Sequence, residues 1–493
     1  MKQIFTFTMA ILISAGVFAQ GETMDMTLDE VIELASQNSI DAFRIKNMYR
    51  ASYWEYRYFR ADRLPSLTLQ ATPLDFNHYR SKEYNFETNE EEYVQREYFN
   101  SNFNMALNQN IALTGGSLFL QSELGIVKNL GGNQSDSYQT TPISIGYQQS
   151  LNGYNALRWK TRIEPVKFER AKKELIESRE ALAIKAVDKF FNLAGAQIQL
   201  NIAENNLASA DTLYRIGKGR FQVGTVTQDE LLTFELNLLR AKQSLNVSRS
   251  EVNRAQTDLN SFLSLDENTV IRCIVPSEIP DIQIRAREAI DKALENNPIV
   301  LEHQQRLLEQ DQAVARTRSE AGFNTSVFAL YGLDQSSPEF SEVYKDPDKS
   351  QRFRLGVTIP VVDWGRRKGS YQMAQYNREV ARAAIEQDRI DFEQGLLQDV
   401  AEFNLQAEQV KTAGLADTVA QKGYEVTLQR FMIGKADVVK LNISRNDLES
   451  SRLSYINTVR NYWNYYYSLR RKTLFDFMTR KALSAEYDEL LEK

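Results

Sequence analysis

The hydrophobic positions of this chain follow two different periods. Between residues 166 and 275 they recur every seven residues, as Leu193, Leu200, Leu207, Tyr214 and Phe221, with Ala196, Ala203 and Ala210 three places later. A second seam follows Gly224: Leu231, Leu238, Leu245, Val252 and Leu259, accompanied by Phe234, Ala241, Ser248, Ala255 and Phe262. This is the a/d spacing of packed helices, and small residues at d let helices approach closely on two sides. Residues 166–275 and 361–493 contain no proline and are rich in Ala, Leu, Glu, Gln, Lys and Arg, all good helix formers. A helix from about Glu164 to Phe221 would run roughly 85–90 Å at about 1.5 Å per residue, too long for a compact domain. An ordinary soluble coiled coil shares this pattern.

Elsewhere the period is two. Phe103, Met105, Leu107, Ile111 and Leu113 alternate with Asn104, Ala106, Asn108, Asn110 and Ala112. Ile143, Ile145, Tyr147 and Leu151 alternate with Ser144, Gly146, Gln148 and Ser150, and Phe353, Leu355, Val357, Ile359 and Val361 with Arg352, Arg354, Gly356 and Thr358. Leu67 and Leu69 begin a similar strand, and Val327, Ala329, Tyr331 and Leu333 another. About ten residues of apolar-out, polar-in alternation suits a transmembrane β-strand, although soluble sandwich strands alternate too. A strand pair is expected at roughly 102–113 and 116–127, joined at Thr114-Gly115-Gly116, with long polar loops at 79–99 (Glu90, Glu91, Glu92), 128–141 and 334–351.

The chain repeats itself. Arg220-Phe221-Gln222-Val223-Gly224 returns 210 residues later as Arg430-Phe431-Met432-Ile433-Gly434, and Tyr214, Leu231, Leu238 and Leu259 return as Tyr424, Leu441, Leu448 and Leu469. Nearer the start, Glu30-Val31-Ile32 and Ala35 match Glu288-Ala289-Ile290 and Ala293 at a spacing of 258. The first copy is therefore 48 residues longer, between about residue 40 and residue 150. Repetition at this scale points to tandem copies of one unit.

Composition narrows the chemistry. One cysteine, Cys273, excludes an internal disulfide framework and cysteine-based zinc sites. With only His78, expected in a loop, and His303, expected in a helix, no nucleophile–His–acid set or histidine metal site can be assembled. No catalytic residue, metal or cofactor is expected. The net charge of −6 gives no reason to expect a nucleic-acid partner. Lys2, the apolar run from Ile4 to Val17 and Ala19 before Gln20 match a secretory signal peptide, or less well a short signal anchor. No later stretch of about 18 apolar residues offers a transmembrane helix.

Gly217-Lys218-Gly219-Arg220-Phe221-Gln222-Val223-Gly224-Thr225 superficially matches a phosphate loop, but it lacks the Lys-Ser/Thr spacing and heptads run through both flanks. A helix–turn–helix tip fits better, with Gly224 and Gly434 reversing the chain. Thr225 or Thr227, and Asp437 in the second copy, can cap the returning helices.

This tip, Arg220 to Leu232, resembles that of the outer-membrane factor family, the TolC-like efflux and export channels. Thr27-Leu28-Asp29-Glu30-Val31-Ile32 through Asn38, Leu64-Pro65 and the tandem halves extend the resemblance over essentially the whole mature chain. The family implies a mainly α protein with a membrane β part: a trimer whose long helical-hairpin α-barrel in the periplasm continues a transmembrane β-barrel. The implied segments are a signal peptide (1–20) and a first repeat (21–264), with strands about 64–151 and a helical hairpin at 154–264. A linker (265–283), a second repeat (284–470, strands about 324–362, hairpin 366–470) and a C-terminal equatorial segment (471–493) follow.

The resemblance implies a passive exit duct of a tripartite efflux or type I secretion system, without enzymatic activity. Its partners would be two further copies, a periplasmic adaptor (membrane fusion) protein, an inner-membrane RND or ABC transporter and outer-membrane lipid. Arg220, Phe221, Val223, Gly224, Thr225, Arg430, Phe431, Ile433 and Gly434 would form the adaptor-docking tips. Asp229, Glu230, Asp437 and Lys440 would lie at the pore constriction, with Glu230 and Lys440 either paired or simply solvated. Two departures stand out. The simplest family barrel has four strands per subunit, so the extra hairpin either joins the wall or lies at its rim. Asn324 also stands opposite Pro65, where a proline is usual. Tyr53-Trp54, Tyr56 and Tyr58-Phe59 suit a membrane girdle, and Tyr462-Trp463 with Tyr465, Tyr466 and Tyr467 suit helix packing. A soluble coiled-coil adaptor or scaffold is the alternative, although it would lack two families of amphipathic strands.

Overall fold

The computed structural model describes residues 23–86, 89–130, 136–276, 278–488 and 490–491, so the expected signal peptide lies outside the described residues. In chain order the elements are β1 (Thr23–Thr27), α1 (Leu28–Asn38), α2 (Ile40–Ala61), β2 (Ser66–Asn85), β3 (Glu90–Ile111), β4 (Gly116–Asn129) and β5 (Asp136–Ser150). α3 (Ala156–Gln222), α4 (Gln228–Leu263), β6 (Val270–Ile274), α5 (Ala286–Asn296) and α6 (Pro298–Ala321) follow. β7 (Asn324–Ser337), β8 (Asp348–Thr358), α7 (Arg366–Met432), α8 (Val438–Thr473), β9 (Phe475–Asp476) and β10 (Lys481–Ala482) complete the chain.

Element boundaries keep the two sequence offsets. α1 and α5, and β2 and β7, start 258 residues apart, whereas α3 and α7, and α4 and α8, both start and end 210 apart. The surplus residues are β3, β4 and the extension of β2.

The chain forms two compact units: Met1–Asn47, Leu175–Asn296 and Gly395–Ala485 make one, and Met48–Glu174, Asn297–Gln394 and Glu486–Lys493 the other. The second unit carries a six-stranded antiparallel sheet in the order β2-β3-β4-β5-β7-β8. The inserted hairpin β3–β4 thus lies within the sheet, not at its rim. Register sorts the side chains by face, because alternate residues point to opposite sides. One row runs Leu67, Leu107, Leu120, Ile145 and Tyr331 and ends at Gln351; the next, on the opposite face, runs Thr68, Ala106, Gln121, Ser144, Gly332 and Ser350.

Several expectations are corrected. The loop expected at 79–99 is mostly strand: β2 runs to Asn85 and β3 starts at Glu90, paired Asn85↔Glu90 through His78↔Glu97. No apolar alternation marks these residues; backbone pairing, a cross-strand ion pair of Lys82 with Glu91 and a contact of His78 Nδ1 with the Glu97 carboxylate (2.7 Å) hold them. His78 is therefore in a strand. The loop expected at 334–351 shortens to the residues between β7 and β8; of that expected at 128–141, both ends are strand and residues 131–135 lie outside the described residues. α3 begins at Ala156, eight residues before Glu164, and keeps Pro165 inside it. In the first aromatic cluster Tyr53 and Tyr56 pack on Phe168 of α3, the Tyr56 and Phe168 rings stacking at 4.6 Å, and Phe59 is buried, while Trp54 and Tyr58 stay exposed.

The first unit is helical. Leu193, Ala203, Ala210, Phe234, Leu238, Ala241, Leu245, Ser248 and Leu259 of the two heptad seams are buried, and α3 meets α4 through Ala210, Leu238 and Ala241, backed by Leu207 and Tyr214. β1 and β6 pair in parallel. The second aromatic cluster is core: Tyr462 and Tyr466 are buried against Phe403, and the Tyr462 hydroxyl donates to the Pro280 carbonyl at 2.6 Å. Beside it Arg470 pairs with Glu180 (3.0 Å) and Asp476 (3.8 Å). Among the described residues no helix is long and apolar enough to cross a membrane, which leaves open a crossing by strands.

Candidate functional site

Both hairpin tips, in the first unit, are built from the same backbone device. α3 ends with the Gly224 N–H donating to the Phe221 carbonyl (3.0 Å) and the Thr225 N–H to the Arg220 carbonyl (2.9 Å). α7 ends identically, Gly434 to Phe431 (3.0 Å) and Lys435 to Arg430 (2.8 Å). These paired 5→2 and 6→1 bonds form a Schellman cap, whose C′ residue is left-handed. Gly224 and Gly434 have φ of +75° and +74°, in open space, so conformation and not crowding requires glycine there.

The returning helices are capped by side chains. Thr227 is the N-cap of α4; its N–H and hydroxyl donate to Glu230 Oε2 at 2.9 and 3.1 Å. The Thr227 hydroxyl and neighbouring backbone N–H groups also hold the Asp229 carboxyl below its ordinary range. Thr225 instead donates its hydroxyl to the Arg220 carbonyl, 3.0 Å. Asp437 caps α8 by accepting from the Lys440 N–H at 2.7 Å. Among the described residues no ion pair joins Glu230 to Lys440; the Glu230 carboxylate is committed to its own cap.

Between the tips lies a small core: Phe234, Phe431 and Leu441, flanked by Leu213, Tyr214, Val226, Tyr424, Leu428, Ala436 and Val438. Phe234 meets Phe431 nearly edge-on, centroids 6.5 Å apart, and lies over Gly217, where an added Cβ would sit 2.6 Å from its ring. Gly217, the first glycine of the run that mimics a phosphate loop, therefore makes room for this ring, whereas Gly219 meets nothing. The two copies differ here. Phe431 is buried and gives no docking surface, whereas Phe221, Val223 and Ile433 are exposed. Asp229, Glu230, Asp437 and Lys440 are all exposed at the turns. The Phe234–Gly217 contact was not anticipated from sequence; its signal is a glycine inside a heptad run.

Long helical hairpins with such tips, joined in one chain to an antiparallel sheet, are the features that the structural comparisons share. The Campylobacter jejuni CmeC outer membrane channel superposes with a TM-score of 0.65 at 17% identity, covering 94% of this chain and 88% of that one. A membrane protein from Pseudomonas aeruginosa gives 0.64 at 17%, covering 90% of each, and the outer membrane protein VceC of Vibrio cholerae 0.62 at 11%, covering 90% and 95%. No curated protein sequence matches the chain. The outer membrane efflux protein family matches residues 46–264 and 289–472, and the chain belongs to that family. It is an outer membrane efflux protein, and the adaptor alternative falls away.

Proposed function

We propose that the protein is the passive exit duct of a tripartite efflux or type I secretion system, formed by three copies of two tandem strand–helix repeats. The observation that carries this is the open six-stranded sheet. β2 and β8 each pair on one side only, and one face of the sheet is apolar. An unpaired backbone group in lipid costs several kcal/mol, so both edges need partners. Six antiparallel strands leave β2 and β8 running in opposite directions, so β8 of one copy meets β2 of the next antiparallel. Three copies of six strands close an eighteen-strand barrel, and the helical hairpins continue the duct into the periplasm as an α-barrel.

Exposed apolar positions on α4 (Leu232, Leu236, Leu239) and α7 (Leu405, Leu415, Val419) suit helix contacts between copies. The tips, through Arg220, Phe221, Val223, Gly224, Thr225, Arg430, Ile433 and Gly434, dock a periplasmic adaptor. Asp229, Glu230, Asp437 and Lys440 line the constriction. An inner-membrane RND or ABC transporter supplies energy and selection. Membrane fractionation with heat-modifiability tests this reading: the protein should need detergent for release and migrate as a trimer unheated. Release without detergent, or a monomer in detergent, would overturn it.

A further inference from the structure

Positive charge concentrates where helix dipoles oppose it. The first two turns of α3 and α7 hold Arg158, Lys160 and Arg162, and Arg366, Arg367 and Lys368, with no acidic residue in either first turn. A helix N-terminus disfavours cations, so something outside the helices must favour them here. The C-terminal ends of α2 and α6 join the same end of the sheet, because β2, β5, β7 and β8 all meet their helices there. Segments 57–63, 158–162, 316–320 and 363–368 together contain eleven Lys and Arg against three Asp and Glu, a net charge of +8 in a chain of net −6. Among the described residues Arg60, Arg158, Arg318, Arg366 and Lys368 are exposed and form no ion pair.

An apolar fringe adjoins this charge. Trp364 is 96% exposed at φ +54°, a backbone region that bulky residues rarely take. The turn is fixed from beneath: Asp363 accepts from the N–H groups of Gly365 (3.0 Å) and Arg367 (3.3 Å). Val361, Val362, Leu113 and Leu151, at the same end of the sheet, are exposed as well. A cleft lined by Asn152, Trp159, Arg318 and Phe323 opens beside them. Tryptophan belongs at a membrane interface, and basic residues beside an apolar fringe complement anionic headgroups.

We propose that this rim is a collar for anionic phospholipid. Its arginines and lysines bind headgroup phosphates, while Trp364 and the neighbouring aliphatic side chains enter the acyl region. The collar rests on reading the sheet as the barrel wall.

The test uses the full-length protein in detergent micelles doped with phosphatidylglycerol or phosphatidylcholine, with retained lipid counted by native mass spectrometry. Wild type retains phosphatidylglycerol preferentially, and the preference weakens with salt. The triple variant Arg158→Gln, Arg366→Gln, Lys368→Gln loses roughly fivefold in that preference for each cation removed. Arg240→Gln, Lys242→Gln, Arg249→Gln on α4 leaves it unchanged, and Trp364→Ala lowers retention of both lipids alike. Equal retention of the two lipids by wild type, or retention of neither because protein covers the rim, overturns the collar whether or not the variants fold. Planar-bilayer conductance of the same sample separates the two readings. A conducting protein without lipid preference removes the collar alone, and one that neither inserts nor conducts removes both.

Discussion

Gly224 and Gly434 hold the left-handed backbone on which both hairpins turn, and a Cβ there meets strain but no neighbour. Gly224→Ala or Gly434→Ala should cost about 1 kcal/mol of local stability. That is roughly fivefold faster amide exchange at that tip; unchanged exchange would show the turn does not need glycine. Lys440, at the constriction proposed above, has no carboxylate partner among the described residues of its own chain. Lys440→Glu should change single-channel conductance, and an unaltered trace would place that residue away from the pore. The glycines and the Asp437 cap were legible because φ and capping are local properties. The contrast between Phe221 and Phe431 was not: the motif around them is shared, and burial of Phe431 is decided by Phe234 and Leu441, distant in sequence.

At the scale of elements, periodicity located what packing enforces. Helices of 67 and 36 residues recur in both halves because long proline-free runs of helix-forming residues cover nearly all of them. α3 carries Pro165 inside it: one lost hydrogen bond is tolerated in a helix packed along its length, although proline in a helix interior normally breaks it. β2 and β3 were underestimated because their outer portions carry no apolar alternation. The buried charges of the first unit were invisible too, since Glu180, Arg470 and Asp476 are brought together only by folding. Arg470→Met should cost about 3–5 kcal/mol by stranding the Glu180 carboxylate; a melting temperature equal to wild type would contradict this.

Burial pushes the Glu180 carboxyl up despite Arg470. Its contribution to stability is therefore greatest below the ordinary carboxylate range and is lost as pH rises through its raised folded value. Asp476 is opposite: burial alone would raise it, but the Tyr466 hydroxyl, the Thr479 and Met478 N–H groups and Arg470 hold it low. Its contribution is lost as pH falls through that lowered value. The melting temperature of Glu180→Gln relative to wild type should accordingly rise as pH increases above the ordinary carboxylate range; a constant difference would show that Glu180 is not perturbed.

For the whole molecule, membership of the efflux family was legible because the tip motif and the tandem offsets survive in sequence. The position of the 48 extra residues was not, because strand order depends on pairing between distant segments; the structure places β3 and β4 inside the sheet. Everything proposed about transport depends on β2 and β8 finding partners in neighbouring copies. Cys273 can be replaced by serine for such a test, since its half-buried thiol, pushed up to about 12 by desolvation, takes no part in the proposed function. In that background, cysteines at Thr68 on β2 and Gly356 on β8 should be joined between copies by a short bismaleimide. The account predicts a covalent trimer that survives boiling in SDS; monomers alone after complete modification would contradict it.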